Sequence, residues 1–149
     1  MRAAQGGDGG FAGTVTAVLL GLVVLVVGSL IVADAWAVAD TKSATTEAAR
    51  AAVRTYVEAP GATSALADAT AAAGGVLAGL GRDPSLAKVQ VLEGRFARCG
   101  RIAISVSYPA PAVALPLIGQ LGVGETVRSV HSELVDPYRS GLSGTSACA

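Results

Sequence analysis

A chain of 149 residues has room for one small domain beside any targeting or membrane segment. Hydrophobic residues make up 52% of it and charged residues only 15%, well under the charged share of an ordinary soluble domain. Eleven basic residues balance eleven acidic ones, so no net field draws the chain to nucleic acid or to acidic substrates.

The first element accounts for the imbalance. From Thr14 to Ala33 twenty residues run without a charge, thirteen of them Val, Leu or Ile. At 1.5 Å per residue the run covers about 30 Å as a helix, the thickness of a bilayer core. A buried core helix is normally shorter and keeps a polar stripe, so this run is expected to insert in a membrane. Trp36, three residues beyond it, suits the lipid–water interface. The flanks do not decide the topology: Arg2 and Asp8 precede the run, while Asp34, Asp40, Lys42, Arg50 and Arg54 follow it. An export signal is a second reading, because Ala37-Val38-Ala39 before Asp40 fits the small-x-small rule of signal peptidase. Against it stand the length of the run, beyond the usual h-region of about 7–15 residues, and the lack of a preceding basic cluster.

Helix formers continue from Asp34 to Glu58 with no proline before Pro60. Glu47 with Arg50 and Arg54 with Glu58 stand at helical pair spacings, and Pro60-Gly61 supplies a stop. One continuous helix from about Thr14 to Glu58 is expected, roughly 65 Å long. Gly13, Ala17, Gly21, Gly28 and Ala35 fall within a sector of roughly 80° on it. Such a stripe lets a second helix approach closely in lipid.

Beyond Pro60 the pattern changes. Thr63 to Leu80 reads as a second helix, capped by Thr63 or Ser64 and ending near Gly79 or Gly81. Its apolar side would comprise Leu66, Ala69, Ala73, Val76, Leu77 and Leu80. "KVQVLEG" and "RIAISVSYP" then alternate as strands, placing Val89, Val91, Ile102, Ile104 and Val106 inward. Cys99-Gly100 would make the turn between them, with Arg95, Arg98 and Arg101 as a solvated hairpin end. "PAPAVALPLIGQLGVG" reads as an apolar loop with one helical turn. "ETVRSVHSELVD" reads as a third strand of uncertain register, since Val127 and Val130 are out of phase. The sum is an α+β chain, a long N-terminal transmembrane and stem helix packed against a small antiparallel sheet. The divisions are a leader at 1–13, a membrane helix at 14–33, a helical stem at 34–59 and a head at 60–149.

Catalytic chemistry has little to stand on. His131 and Glu133 would share one face of a strand, but no nucleophile motif accompanies them. One histidine and two distant cysteines do not space a zinc site. Gly119, Gly122 and Gly124 fall short of a phosphate loop. A non-enzyme without cofactor, metal or small-molecule ligand is expected. Cys99 and Cys148 form an even pair, which permits a disulfide in an exported domain and favours an outward-facing C-terminal part.

A glycine-ended leader, a membrane helix running into a stem and a small α+β head resemble a type IV pilin-like protein. More narrowly, the chain is similar to the TadE-like minor pseudopilins of tight-adherence pili in high-GC Gram-positive bacteria. "AGTVTAVLL", Ala12 to Leu20, is similar to that family's leader junction, and "HSELVDPYRSGL", His131 to Leu142, to its tail, with a Cys pair placed like Cys99 and Cys148. The resemblance implies a pilin-like fold and cleavage by prepilin peptidase between Gly13 and Thr14, or between Gly10 and Phe11. It implies packing through Ala17, Gly21, Gly28 and Ala35 against other pilin subunits, in a single-pass membrane protein with an extracytoplasmic head. The family's glutamate at the fifth position after the leader glycine has no counterpart, since Val18 or Val15 stands there. The alternative is a membrane-anchored or secreted surface protein with no pilus partner.

Overall fold

The computed structural model describes residues 8–110, 113–115, 119–121 and 124–148, with side-chain detail for 13–110 and 124–148. Helix α1 spans Asp8–Glu58 and helix α2 spans Ala62–Gly79. A single 3-10 turn, Pro84–Leu86, leads into strand β1, Lys88–Glu93, and then β2, Arg101–Pro109. Two short strands, β3 at Val113–Leu115 and β4 at Gly119–Leu121, precede β5 at Thr126–Leu134. The expected α+β composition is present. The chain falls into two compact units, Met1–Trp36 and Ala37–Ala149, so the stem belongs to the head rather than standing apart from it.

Helix α1 begins six residues before Thr14, so residues 8–13 of the expected leader are helical; residues 1–7 lie outside the described residues. Its end at Glu58 agrees with the Pro60 stop. Within the second unit the inward side of α1 is small. Ala44, Ala48, Ala49, Ala52, Val53 and Val57 are buried there. Helix α2 answers with Ala65, Ala69, Ala73 and Leu77 at a spacing of four. Leu66 and Leu80, expected inward, are instead 45% and 54% exposed. Ala69, Ala73 and Leu77 are buried as expected and Val76 packs partly against the core, so the expected face is present with Ala65 inward in place of Leu66. The N-cap is Gly61, extended at φ −164° and ψ 163°, with no side chain capping it; Thr63 and Ser64 sit inside the first turn. The C-terminus is a Schellman arrangement: Gly81, at φ +71°, donates its N–H to Ala78 O, and Arg82 N–H reaches Leu77 O at 2.9 Å.

The main sheet is antiparallel in the order β1-β2-β5. Val91 pairs with Ile104, Arg101 with Leu134 and Pro109 with Thr126. Ile102, Ile104 and Val106 are fully buried in the core shared with α1 and α2, and Val89 and Val91 pack partly against it, as the alternation predicts. The link between β1 and β2 is a seven-residue loop, Gly94–Gly100, not a tight turn at Cys99-Gly100. Gly94 stands at φ +110°, where an added Cβ would lie 2.1 Å from Arg101 O; no other residue fits there. The apolar segment before β5, expected as a loop with a helical turn, contains the hairpin β3–β4, pairing Val113 with Leu121 and Leu115 with Gly119.

The register of β5 resolves the phase conflict. Val127 and Ser129 face inward while Val130 is 50% exposed. Ser129 is tolerated inside because its hydroxyl lies 3.0 Å from Thr45 Oγ1 and 3.1 Å from Thr46 Oγ1, both on α1. A buried hydroxyl costs little once it is hydrogen-bonded.

Ala73 marks how tight the packing is. Ala73→Leu is expected to cost about 1–3 kcal/mol, read as a fall in melting temperature, whereas Ala78→Leu on the exposed side of α2 should leave it nearly unchanged. Asp83 offers a pH test. Hydrogen bonds from Ser85, side chain first and then backbone N–H at 2.9 Å, hold its carboxyl below the ordinary value near 3.8. A depressed folded pKa adds stability above the unfolded value and loses it as pH falls through the folded one. Asp83→Ala should therefore lower the melting temperature slightly at neutral pH, with the difference closing well below pH 3.8.

Candidate functional site

Two features of the chain invite a functional role: the apolar helix of the first unit and the ties that close the head. In the first, every side chain described from Gly13 to Trp36 is exposed except the half-buried Leu30. The most apolar eighteen-residue window is wholly unburied. Valine and leucine side chains left open over six turns are stable only in lipid or against other apolar helices. The helix is long and apolar enough to span a membrane, and the same properties serve a signal anchor near an N-terminus. Its hydroxyls need not oppose that environment, since Ser29 Oγ donates to Leu25 O at 2.8 Å, satisfying the group within the helix.

The residues expected to mediate processing and packing all lie on this helix. Gly13 and Thr14 sit within helical backbone, as do Gly10 and Phe11. Around Gly13, Gly21 and Gly28 nothing comes within 4 Å of the place an added Cβ would take. Ala17 and Ala35 are exposed as well. The small residues thus offer an unfilled strip along the helix.

The second feature lies where α1 ends. The Arg139 guanidinium donates to the carbonyls of Val57, Glu58 and Ala59, which would otherwise lack partners. Its charge also suits the negative end of the helix. The same guanidinium stands 5.4 Å over the Phe96 ring, and Phe96 meets Tyr56 edge-on at 5.8 Å. Arg98 Nε–H donates to Arg139 O at 2.8 Å. The tail then returns to the β1–β2 loop: Arg98 N–H bonds Ser143 O, and Cys99 N–H bonds Val135 O. Cys99 and Cys148 close a disulfide across 49 residues, with Cα atoms 5.2 Å apart. The expected pairing is therefore present. Arg95, Arg98 and Arg101 do not act as one basic patch, because Arg98 is spent on Arg139.

A parallel set of ties lies at the other end of the stem. Arg82 pairs with Asp40 at 2.6 Å, donates to Thr41 Oγ1 at 3.2 Å and stands 5.5 Å over the Tyr108 ring. Lys42 Nζ donates to the carbonyl of Arg128.

An open groove of about 770 Å³ is lined by Glu47, Arg50, Arg54, Leu80, His131 and Glu133. His131 and Glu133 do share a face, but His131 Nε2 accepts from Arg50 Nε–H at 3.2 Å, and Arg50 also holds Glu47 at 3.1 Å. Ser129, the nearest inward hydroxyl on β5, is held by Thr45 and Thr46. The groove presents solvated ion pairs and no hydroxyl poised beside the imidazole. Among the described residues no group of three or more His, Cys, Asp or Glu side chains is placed to hold a metal ion.

Comparison with protein-family models, with curated proteins and with solved structures finds no match for this chain. The physical features above therefore carry the reading. Arg139 and Arg82 were missed from the sequence, where nothing marks a lone arginine as a helix clamp; only the conjunction with folded helix ends reveals it.

Loss of the disulfide tests the distal ties. By loop-closure entropy a 49-residue loop is worth at most about 4 kcal/mol. The paired Cys99→Ser and Cys148→Ser variant, unfolded in denaturant in detergent micelles, should show a lower midpoint and an unfolding free energy reduced by up to that amount, and reduction of the wild type should reproduce it.

Proposed function

We propose that the chain is a minor pseudopilin or pilus-assembly protein of a tight-adherence, type IV-like system, held in the membrane by its apolar helix with the head outside. The observation that supports this most is the division of α1. Its first part leaves a fully apolar surface unburied, while its second part, from Thr41 on, supplies the spine of the head's core. A subunit that waits in lipid and then packs among like helices needs that division, since one helix must serve two solvents in turn. The disulfide suits an oxidising, extracytoplasmic setting. The role is structural: prepilin peptidase cuts after Gly13 or Gly10, and the strip of Ala17, Gly21, Gly28 and Ala35 packs against other pilin helices.

Val18, or Val15 with the earlier cut, stands where the family has glutamate. A carboxylate in lipid needs a partner such as a neighbour's amino terminus, and valine neither needs nor offers one. This favours an accessory or minor subunit over a repeating one, and it leaves a plain membrane-anchored surface protein as the second reading.

The mature N-terminus, read by mass spectrometry from native cells, separates the readings. A chain starting at Thr14 or Phe11 is the expected outcome. A start at Asp40 would reduce the apolar run to an export signal and overturn the proposal. An uncut Met1 would support the plain anchor.

A further inference from the structure

The outer face of the main sheet gathers cations in a chain that is neutral overall. Ile102, Ile104 and Val106 are buried in the core, so Ala103, Ser105 and Ser107 of β2 lie on the opposite face. Lys88 of β1 and Arg128 of β5 stand in register on either side of Ser107. Both are exposed, and Ser107 is half-buried. The three residues form one row across three strands, with its outer Cα atoms about 10 Å apart. Among the residues of these strands only one carboxylate shares the face. It is Glu93, which pairs with Ala103 beyond the bulge, four residues along β2 and about 13 Å from the row. Asp83 and Glu125 lie in the turns that flank the strands. The face therefore sets Lys88, Arg101 and Arg128 against Glu93, and the row itself holds two cations and no acid.

Arg128 is held in place over this face. Its Nη2–H donates to Ser105 Oγ at 3.3 Å, and Ser105 is buried. Its backbone carbonyl accepts from Lys42 Nζ, so a third positive charge stands at the same strand. Arg50, Arg54 and Arg82 each pair with a carboxylate, but among the described residues Lys42, Lys88 and Arg128 do not. Cations grouped without counter-charge repel one another and together attract an anion more strongly than each would alone. We infer that the row Lys88–Ser107–Arg128 is a binding site for a tetrahedral oxyanion, a phosphate or phosphate ester. The planar fork of Arg128 suits two of its oxygens. The Ser107 hydroxyl donates to a third, and the Lys88 ammonium supplies a point charge from the other side. The site lies wholly within the unit Ala37–Ala149, and the inference goes beyond the pseudopilin reading without resting on it.

The test titrates the isotope-labelled full chain, in uncharged maltoside micelles, with inorganic phosphate and with dimethyl phosphate. Sodium chloride at matched ionic strength is the control, and backbone amide shifts in the NMR spectrum are the readout. The expected result is saturating shifts at Lys88, Ser107 and Arg128, with a Kd of roughly millimolar order, and none of them with chloride. Lys88→Gln should weaken binding about threefold to fivefold, and Arg128→Gln about tenfold. Arg128→Lys keeps the charge and loses the fork, so it should bind more weakly than the wild type. Should Arg128→Gln disturb the sheet, seen as shifts throughout β2, Lys88→Gln at the exposed edge strand decides. Saturation by either probe supports the inference. The tighter one names the source: inorganic phosphate for a free phosphate or monoester, dimethyl phosphate for a phosphodiester. Shifts that do not saturate, equal shifts with chloride, or binding unchanged in Lys88→Gln and Arg128→Gln would each overturn it.

Discussion

A core built largely from alanine is the constraint on which the head depends. Ala44, Ala48, Ala49 and Ala52 on α1 and Ala65, Ala69 and Ala73 on α2 are nearly or wholly buried, and each contributes little apolar area of its own. A core of this kind gains from density more than from bulk. The larger buried groups, Leu77, Ile102, Ile104, Val106 and Val135, are few. A small core with few large side chains is marginal by area alone. The remaining ties answer that shortage at both ends of the stem: Arg82 on Asp40 and Tyr108 at one, Arg139 and the disulfide at the other.

Between those ends a polar seam joins α1 to β5. Thr41, Thr45 and Ser129 are buried, and each hydroxyl has a partner. Among the described residues no buried side-chain nitrogen or oxygen is left without a hydrogen bond. Such a seam stabilises little compared with aliphatic packing, yet it favours one register, since sliding β5 by one residue would put Val130 against the threonines and take Ser129 from its partners.

The sequence made the two helices, β1, β2 and β5 legible because each carries a periodicity of its own. Thirteen aliphatic residues in twenty announce the apolar helix, and the alternation of Ile102, Ile104 and Val106 announces β2. What escaped was whatever depended on contact. On α2 the buried Ala69, Ala73 and Leu77 were legible, but Ala65 was passed over for the exposed Leu66 and Leu80 because leucines were weighted above alanines. Ser129 as an inward residue could not be foreseen without its threonine partners on a helix 84 residues earlier. The β3–β4 hairpin lies in a stretch punctuated by Pro and Gly with no alternation to read. The disulfide was legible only as an even count of cysteines. The apolar helix was legible in full, because its length and composition mark it without any partner.

The path of α1 beside β5 has a mechanical meaning. Lys42 meets Arg128, Thr45 and Thr46 meet Ser129, and Arg50 meets His131, so helix and strand run alongside each other in the same direction. A pull entering the head at Ala37 along α1 loads these contacts together, in shear, and reaches the Arg139 clamp on Val57 and Ala59 as well. Contacts loaded in parallel share the force, unlike a zipper that opens one bond at a time. Resistance to such a pull is governed by the rate of unfolding rather than by the equilibrium stability. For a head with a modest core, its hold under tension is therefore a separate quantity from its thermal stability.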